Sequence, residues 1–371
     1  MVTRKTERLL ILGGGLIGLA IAHELARKGR AVEILSRSRN EAAGFVAAGM
    51  LAPHAEGLSK SLLEFGRASL FKIPEWIKEI EKNSQINCGL RFCGIIVPFL
   101  NDEARNNYPT AYLGEILSRQ DLEKEIPGIG FKWKTGLLFP KDGQIDNRRL
   151  LMKALQKACV ALGVRFREGV EVLELITKAN TFEGVLVSNE ERQREKIYSK
   201  EALLCCGAWS NQLLKKIPIF PVKGQMFSIQ GPQNTLQKIL FGPGIYLVPR
   251  EDGLIVVGAT SEKKVGFTEG LTPHGQQELQ KGMHSLLPHA SSWPQMERWW
   301  GFRPCTPDSK PILGTSPIQG LWLATGHNRN GVLLSAITSE LLAKSICNES
   351  LTDEEKEFLK IFNWNRFLKQ N

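Results

Sequence analysis

A glycine-rich turn between a short apolar run and a helical pattern is the feature that most constrains the fold. Residues 8–12 (RLLIL) are almost wholly apolar, which is typical of a parallel strand buried on both faces. Gly13, Gly15 and Gly18 follow directly with the spacing G-x-G-x-x-G, and residues 31–35 (AVEIL) form the next predicted strand. This order of strand, loop, helix and strand predicts a βαβ unit of a doubly wound sheet, with a dinucleotide at its loop.

Each glycine of the turn has a distinct physical role. Gly13 permits the tight turn, Gly15 lets the backbone approach a pyrophosphate, and Gly18 allows the helix to pack closely on the strand. The anion would lie at the helix N-terminus, beside Leu16 and Ile17, where free N–H groups and the helix dipole favour negative charge. A glycine turn without a ligand is the alternative, but the flanking strands and helix favour a binding loop.

The residues at the end of the second predicted strand do not identify which dinucleotide binds. An acidic residue usually binds the ribose hydroxyls at this point, but this chain has Ser36 followed by Arg37. A serine can still hydrogen-bond a ribose, whereas an arginine suits the 2′-phosphate of NADP. This unit alone therefore does not separate FAD from NADP.

The rest of the chain contains segments with α/β character and a segment of short alternating strands. Residues 41–53 (EAAGFVAAGMLAP) are small and uncharged after Glu41, so a flat ligand could lie against their backbone; a tightly packed helix is the alternative. Residues 61–84 have helical spacing, and residues 202–206 read as a buried strand. Residues 221–257 contain short alternating strands with Pro and Gly turns, which predict an antiparallel sheet. The final part, which includes a predicted amphipathic helix over residues 352–371, returns to α/β character.

Composition excludes several classes of protein. The 48 basic and 38 acidic residues give a net charge of +10, which attracts anions, but lysine and arginine are spread along the chain and form no nucleic-acid arm. The seven cysteines are odd in number and show no C-x-x-C spacing, so we expect neither a disulfide framework nor a metal site. The apolar run at 9–22 is too short to span a bilayer, which takes about 20 residues. A soluble, cytoplasmic protein without membrane or nucleic-acid partners is predicted.

A series of motifs runs through essentially the whole chain. In order they are GGGLIG, AAGMLAP, GQID, CCGAWS, PVKGQM, YLVPR with GLIVVGAT, GFRPCTPDSKPILG and ATGHNRNGVLL. Together they resemble the FAD-dependent amine and D-amino-acid oxidase superfamily, and within it they are most similar to the glycine oxidases of bacterial thiamine biosynthesis. AAGMLAP and GHNRNG are more specific to this family than the glycine-rich turn.

The resemblance implies an α/β fold, α+β overall, in which a Rossmann-like FAD-binding domain carries an inserted antiparallel-sheet substrate domain. We expect the FAD-binding domain to comprise residues 1–60, 145–215 and 300–371. The substrate domain would comprise residues 61–144 and 216–299. A homo-oligomer is compatible with the family.

The resemblance also assigns contacts to FAD. Residues 47–50 would run along the isoalloxazine, Val172 would contact the adenine side, and the loop 326–332 would place N–H groups at the flavin pyrimidine. A helix N-terminus there would stabilise the anion of the reduced flavin. No metal is implied, and the complete set of predicted cofactor-binding residues is Gly13, Gly15, Leu16, Ile17, Gly18, Ser36, Arg37, Ala47, Ala48, Gly49, Met50, Val172, Gly207, Trp209, His327, Asn328, Arg329, Asn330, Gly331 and Val332.

Three residues match the family's substrate site. Arg303 matches the arginine that binds the substrate carboxylate, Tyr246 the hydroxyl that shares it, and Arg329 a second arginine near the pocket. A guanidinium offers a carboxylate two parallel hydrogen bonds, which a lysine does not. The alternatives are a structural salt bridge for Arg303 and strand packing for Tyr246. For His327 we expect a backbone-positioning role.

Departures from the family pattern bear on specificity and on flavin attachment. Ser261 stands where a methionine tends to line the pocket, and Gly244 stands where a larger side chain is often found. Both residues leave more room in the substrate pocket, which implies that sarcosine or small D-amino acids fit in addition to glycine. Cys305 does not match the cysteine that holds flavin covalently in sarcosine oxidases, so non-covalent FAD is expected.

The implied reaction is oxidation of a small amine beside its carboxylate. Hydride would pass from Cα to flavin N5, and O₂ would reoxidise the flavin to give H₂O₂. The imine would hydrolyse to glyoxylate and ammonia or feed thiazole synthesis. The alternatives are an amino acid dehydrogenase of the same fold with a non-oxygen acceptor, an NADP-dependent reductase, and a flavin-containing nucleic-acid-binding or assembly factor.

Overall fold

The computed structural model describes residues 2–368. The strands, in chain order, are β1 (Val2–Lys5), β2 (Leu9–Leu12), β3 (Val32–Ser36), β4 (Met50–Leu51), β5 (Ile95–Phe99), β6 (Glu115–Leu117), β7 (Thr135–Phe139), β8 (Gly143–Gln144), β9 (Arg165–Glu168), β10 (Glu171–Lys178), β11 (Thr181–Ser188), β12 (Arg194–Tyr198), β13 (Ala202–Leu204), β14 (Phe220–Gln230), β15 (Ile239–Gly242), β16 (Ile245–Pro249), β17 (Leu254–Gly258), β18 (Gln295–Cys305), β19 (Ile312–Thr315) and β20 (Leu321–Thr325).

The α-helices are α1 (Leu16–Arg27), α2 (Lys60–Ser84), α3 (Asp102–Asn106), α4 (Arg119–Glu125), α5 (Met152–Ala161), α6 (Ser210–Leu213), α7 (Pro273–Leu286), α8 (Gly331–Ile346) and α9 (Asp353–Ile361). A π turn (Asn147–Leu151) leads into α5. Short 3-10 turns occur at Arg39–Glu41, Ala43–Phe45, Ala111–Leu113, Gly207–Trp209, Pro288–Ser292 and Trp364–Phe367.

A six-stranded sheet in the order β19–β20–β13–β2–β3–β9 carries the predicted βαβ unit. Its strands are parallel except for β19. Leu9 and Ile11 of the central strand face a core built with α1, α2, α5 and α8, while Leu10 and Leu12 face the small sheet β1–β12–β11–β10. Both faces are covered, which explains why β2 consists only of leucine and isoleucine.

An eight-stranded sheet in the order β18–β14–β17–β16–β15–β5–β7–β6 forms the second large layer. It includes the antiparallel strands predicted over 221–257, together with β5, β6 and β7 from earlier in the chain. One pair departs from the antiparallel prediction, because β15 runs parallel to β5, with Ile239 opposite Ile95. Ile96 faces a core shared with α7, whereas Ile95 and Val97 face the small residues Ala48, Ala52 and Ala55.

Most predicted elements are confirmed, with shifted ends. The helix predicted over 61–84 is α2. The strand predicted over 202–206 stops at Leu204 because the chain turns at Gly207, whose φ is +52°. The predicted terminal helix is shorter than expected, since α9 ends at Ile361; residues 369–371 lie outside the described residues. The division into two domains stays a prediction.

Other features concern the described residues 2–368 only. No helix in this range is long and apolar enough to cross a bilayer. The seven cysteines in this range form no disulfide with one another. Histidine, cysteine and acidic side chains in this range form no cluster of three or more that could hold a metal ion.

Candidate active site

A cavity of about 990 Å³ lies where the carboxyl ends of the parallel strands face the eight-stranded sheet. The ends of β2, β3, β13 and β20 border it on one side, and residues of β14, β15, β16 and β18 border it on the other. The carboxyl edge of a doubly wound sheet is the usual place for a ligand. The size of the cavity suits a large cofactor together with a small substrate.

The glycine-rich turn lines one end of this cavity. Gly13, Gly15, Leu16 and Ile17 all contribute to its surface. Gly15 is the N-cap of α1, no side chain caps this end, and the first turn has no acidic residue, so its N–H groups are available to an anion. Gly18 is not on the cavity surface. A side chain there would collide with the Gly13 carbonyl oxygen, so its role in the structure is close packing.

Arg37 is held by two carboxylates. Its Nη1 donates to Glu171 Oε1 at 2.9 Å, its Nη2 pairs with Glu41, and its guanidinium carbon lies 5.2 Å from the centre of the Trp209 ring. The two carboxylates neutralise the arginine and would repel a 2′-phosphate, which weighs against NADP. Ser36 is buried on the cavity wall beside this group.

Sequence reasoning missed Glu41 as a member of this site. The acidic residue expected at the end of β3 is absent, but Glu41 reaches the same cavity from five residues further along the chain. Val172, Gly207 and Trp209 line the cavity nearby. Their contact with FAD stays a prediction.

The small-residue stretch 47–50 is not a helix. Residues 47–49 have no regular secondary structure, they line the cavity, and they lead into β4. Trp299 Nε1 donates to the Val46 carbonyl oxygen at 2.9 Å, and Arg250 Nη2 donates to that of Ala48 at 2.5 Å. These side chains fix the backbone, so that the flat face of small residues is preorganised for a planar ligand.

Arg250 and Gly49 hold the backbone of residues 47–50 in its observed conformation. The Arg250 guanidinium is buried against Gln144 and Ala48, and burial lowers its pKa to about 10, so it remains charged at neutral pH. Gly49 has φ +83°, and a Cβ at this position would collide with the backbone carbonyl of Ile145. Only glycine therefore fits here.

The loop before α8 forms another part of the wall. His327, Asn328, Arg329, Gly331 and Val332 line the cavity. The helix begins at Gly331 without a capping side chain or an acidic first turn, so a second helix N-terminus faces the cavity. Unlike these residues, Asn330 is buried behind the surface, because it occupies the N-cap and its N–H donates to the His327 carbonyl.

His327 is a neutral, buried side chain. Burial lowers its pKa to about 3, and its Nε2 lies 3.2 Å from Thr338 Oγ1. It therefore carries no charge at neutral pH, in keeping with the positioning role expected for it. Asn328 is held by its neighbours, since its N–H donates to the Pro304 carbonyl at 2.9 Å and its Oδ1 accepts from Cys305 Sγ at 3.0 Å.

Arg303 and Tyr246 reach the same cavity from the eight-stranded sheet. Arg303 Nη1 donates to the Thr260 carbonyl oxygen at 2.9 Å, and the guanidinium also hydrogen-bonds the Tyr246 hydroxyl. Burial raises the pKa of the Tyr246 hydroxyl, and nearby Arg303 only partly opposes this, so the phenol stays protonated. The pair thus offers a positive charge and neutral hydrogen-bond donors to an anion.

Two glycines that sequence reasoning missed make room for these side chains. A Cβ at Gly224 would lie 2.5 to 2.7 Å from the guanidinium atoms of Arg303, and a Cβ at Gly258 would lie 2.7 Å from the Tyr246 ring. Tyr246 and Gly258 are direct partners in neighbouring strands. Such a role depends on strand register, which no local sequence signal reveals.

Arg329 lies at the same end of the cavity and is paired with Glu56. Its Nε is 2.8 Å from Glu56 Oε2, and its guanidinium carbon is 5.7 Å from the centre of the Phe241 ring. Glu56 was not predicted, although it is the one acidic residue between Glu41 and Glu64 in the sequence. Its side chain is only 6% exposed, and burial raises its pKa.

The two positions that depart from the family pattern are both on the cavity surface. No atom lies within 4 Å of the place that a Cβ would take at Gly244. Ser261 is exposed. No large side chain therefore fills the cavity from either position.

A glycine-rich turn at a helix N-terminus, a wall of small residues and an arginine all border this one cavity, an arrangement typical of nucleotide-dependent enzymes. The DAO family profile, described as FAD dependent oxidoreductase, matches residues 8–345. The chain therefore belongs to the DAO family and is an FAD-dependent oxidoreductase. The family resemblance drawn from the motifs, and the fold it implied, are confirmed.

Individual relatives refine this assignment. A bifunctional protein ThiO/ThiG of Trichormus variabilis is 40% identical and covers 98% of this chain, which in turn covers 56% of that protein. The chain spans about half the length of the ThiO/ThiG relatives it matches. A glycine oxidase of Pseudomonas aeruginosa is 28% identical, with 91% of this chain and 94% of the relative covered. The crystal structure of glycine oxidase from Geobacillus kaustophilus superposes with a TM-score of 0.88 at 26% identity, over 98% of this chain and 99% of that one.

Proposed function

We propose that this protein oxidises glycine with FAD and O₂, releasing an imine and H₂O₂. The observation that carries the proposal is the pairing of Arg303 with Tyr246 in the cavity that the glycine-rich turn also borders. Bound FAD would supply the acceptor of the hydride from Cα. The similarity to ThiO/ThiG proteins and glycine oxidases supports glycine as the substrate.

The side chains of this chain would bind and orient the substrate. Arg303 would hold the carboxylate through two parallel hydrogen bonds, and the protonated Tyr246 would donate a third. Fixing the carboxylate leaves the Cα–H little freedom relative to the wall formed by residues 47–50, which is the main contribution a protein makes to a reaction of this type. His327 is neutral and buried, so it contributes shape rather than proton transfer.

The residues present fit FAD. The N-terminus of α1 suits its pyrophosphate, the small-residue stretch 47–50 suits its planar ring, and the N-terminus of α8 suits the negative charge of the reduced ring. We propose that the cofactor is held without a covalent bond. Burial raises the pKa of the cavity thiols Cys206 and Cys305 to about 12 and about 11, so neither provides the thiolate that attachment requires.

The substrate range would extend slightly beyond glycine. Gly244 and Ser261 leave space in the cavity, so sarcosine and D-alanine would be oxidised as well. Larger D-amino acids would react more slowly because Phe241 and Tyr246 form part of the same wall.

We also propose a role in making the thiazole of thiamine. The support is the similarity to bifunctional ThiO/ThiG proteins, in which a related sequence shares one chain with a second part. The imine would then be used before it hydrolyses to glyoxylate and ammonia.

Oxygen consumption and H₂O₂ formation, measured with glycine, sarcosine, D-alanine and L-alanine, test the proposed function. We expect turnover of the first three and no turnover of L-alanine. Reduction of the flavin by glycine without oxygen consumption would identify a dehydrogenase with another acceptor. Failure of every amino acid to reduce the flavin would overturn the substrate assignment.

A further inference from the structure

Glu56 is the unassigned charged group at the substrate end of the cavity. Among the described residues, the acidic side chains on the cavity surface are Glu41, Glu56 and Glu171. Glu41 and Glu171 are both paired with Arg37, near the glycine-rich turn. Glu56 is instead associated with Arg329 and interacts electrostatically with Arg303. It therefore places a negative charge beside the proposed carboxylate site.

The turn that carries Glu56 is rigid. Asp142 is buried beneath it, and its Oδ2 accepts hydrogen bonds from the N–H groups of His54 at 3.2 Å and Ala55 at 2.7 Å. The Tyr108 hydroxyl donates to the Ala55 carbonyl oxygen at 2.6 Å. These bonds fix the backbone immediately before Glu56, so the direction of its side chain is set by the fold.

The Glu56 carboxylate lacks a complete set of partners. Its Oε2 is fully buried and makes no well-aligned hydrogen bond, although Arg329 Nε lies 2.8 Å away. The Arg329 side chain is 48% exposed, so the ion pair is open to solvent on the arginine side. A buried carboxylate oxygen without a hydrogen bond is costly, and a ligand that donates one would be bound favourably.

We propose that Glu56 receives the amino group of the substrate while Arg303 and Tyr246 hold its carboxylate. This inference rests on the proposed function and deepens it. Amino acids are zwitterions at neutral pH, so a site with a cation and an anion matches both ends of the substrate. Glu56 would accept a hydrogen bond from the substrate ammonium group and would then take up one of the ammonium protons. The substrate would then carry a neutral amine, and Glu56 would be a neutral carboxylic acid. The freed lone pair on nitrogen is needed when hydride leaves Cα.

The surroundings of Glu56 suit this proton transfer. Burial raises the pKa of its carboxyl group, and the neighbouring Asp142 acts in the same direction. Arg329 and Arg303 lower that pKa, and the remaining titratable groups that interact with it are the Tyr108 and Tyr246 hydroxyls. A carboxylate with a raised pKa is a better proton acceptor than an exposed one.

The test compares E56Q with wild type and with E75Q, a glutamate-to-glutamine control on the exposed face of α2. Two quantities are measured: kcat/KM for glycine across pH, and the Kd of glycolate from its perturbation of flavin absorbance. Glycolate has the carboxylate but no amino group. We expect E56Q to lose at least about tenfold in kcat/KM at neutral pH. Its rate should recover as pH rises and the glycine amine loses its proton. Glycolate should bind equally or more tightly, and E75Q should match wild type.

Other outcomes separate the failure of this inference from that of the proposed function. If glycine never reduces the flavin of the wild-type protein, the proposed function is overturned. Active wild type, with E56Q unchanged in rate and pH profile, would overturn the inference alone. Equal losses of glycolate and glycine binding in E56Q would assign Glu56 a structural role and would also overturn it. E56D, which keeps the carboxylate, provides a second variant if E56Q binds no flavin, and it should retain the wild-type pH profile.

Discussion

The guanidinium of Arg303 lies directly over Gly224 on the neighbouring strand. A Cβ at Gly224 would come within 2.5 Å of Nη1 and 2.6 Å of Nη2. The position of the arginine head is therefore determined by the absence of a side chain on β14 as much as by its hydrogen bond to the Thr260 carbonyl oxygen.

Gly224→Ala should weaken substrate binding without unfolding the protein. The added methyl group would displace the flexible end of Arg303, which costs little stability but moves the carboxylate site. We expect KM for glycine to rise about tenfold, comparable to the loss of one charge-assisted hydrogen bond. Steady-state kinetics at constant flavin content measure this. An unchanged KM would show that the guanidinium does not need its observed position.

Arg303→Lys should keep the positive charge and lose the paired hydrogen bonds. We expect kcat/KM for glycine to fall by about 10- to 100-fold, mainly through KM. Arg298→Lys is a matched control on the same strand, because the Arg298 side chain is exposed and bonds to Gln295. Equal kinetic constants for the two variants would show that Arg303 does not bind the substrate.

His327 should make stability depend on pH. Its pKa is about 3 in the folded protein and near 6.5 when unfolded, so between these values the unfolded chain binds more protons. Stability is then fully present above pH 6.5 and falls as pH decreases towards 3. Between pH 7.5 and pH 5.0 the contribution is about 2 kcal/mol. Urea unfolding at both pH values should show this dependence in wild type and much less of it in His327→Asn, whereas equal dependence in the two proteins would refute the assignment.

Acid precipitation should release the flavin. The thiols of Cys206 and Cys305 are kept protonated by burial, so no bond to the cofactor is expected. All of the yellow chromophore should appear in the supernatant, and its mass should be that of FAD. Chromophore retained in the washed pellet would contradict non-covalent binding.

The sequence predicted the local structure of the glycine-rich end of the cavity well, because its signals are local. The glycine spacing and the apolar strand before it lie within a few consecutive residues, so a short stretch of sequence is enough to recognise them. The observed β2 and α1 lie close to their predicted positions. The predicted cofactor residues also include Gly18, from the glycine spacing, and Asn330, from the family resemblance. The structure places both behind the cavity surface, because one packs against Gly13 and the other occupies the N-cap of α8.

The substrate end was less predictable, because its geometry arises between distant segments. Arg303 and Tyr246 were recognised from the family resemblance, but Gly224 and Gly258 acquire their roles only through the register of two strand pairs, β14 with β18 and β16 with β17. Glu56 enters the site through a turn that is fixed by Asp142, 86 residues further along the chain. No periodicity or short motif encodes such a contact.

An anaerobic absorbance spectrum of the purified protein, recorded before and after addition of glycine, shows directly whether the bound flavin oxidises a small amino acid. We expect flavin bands that bleach with glycine and return when air is admitted, together with one equivalent of H₂O₂. Flavin bands that persist with glycine, sarcosine and D-alanine would contradict the assignment of the Arg303 and Tyr246 pocket to a small amino acid.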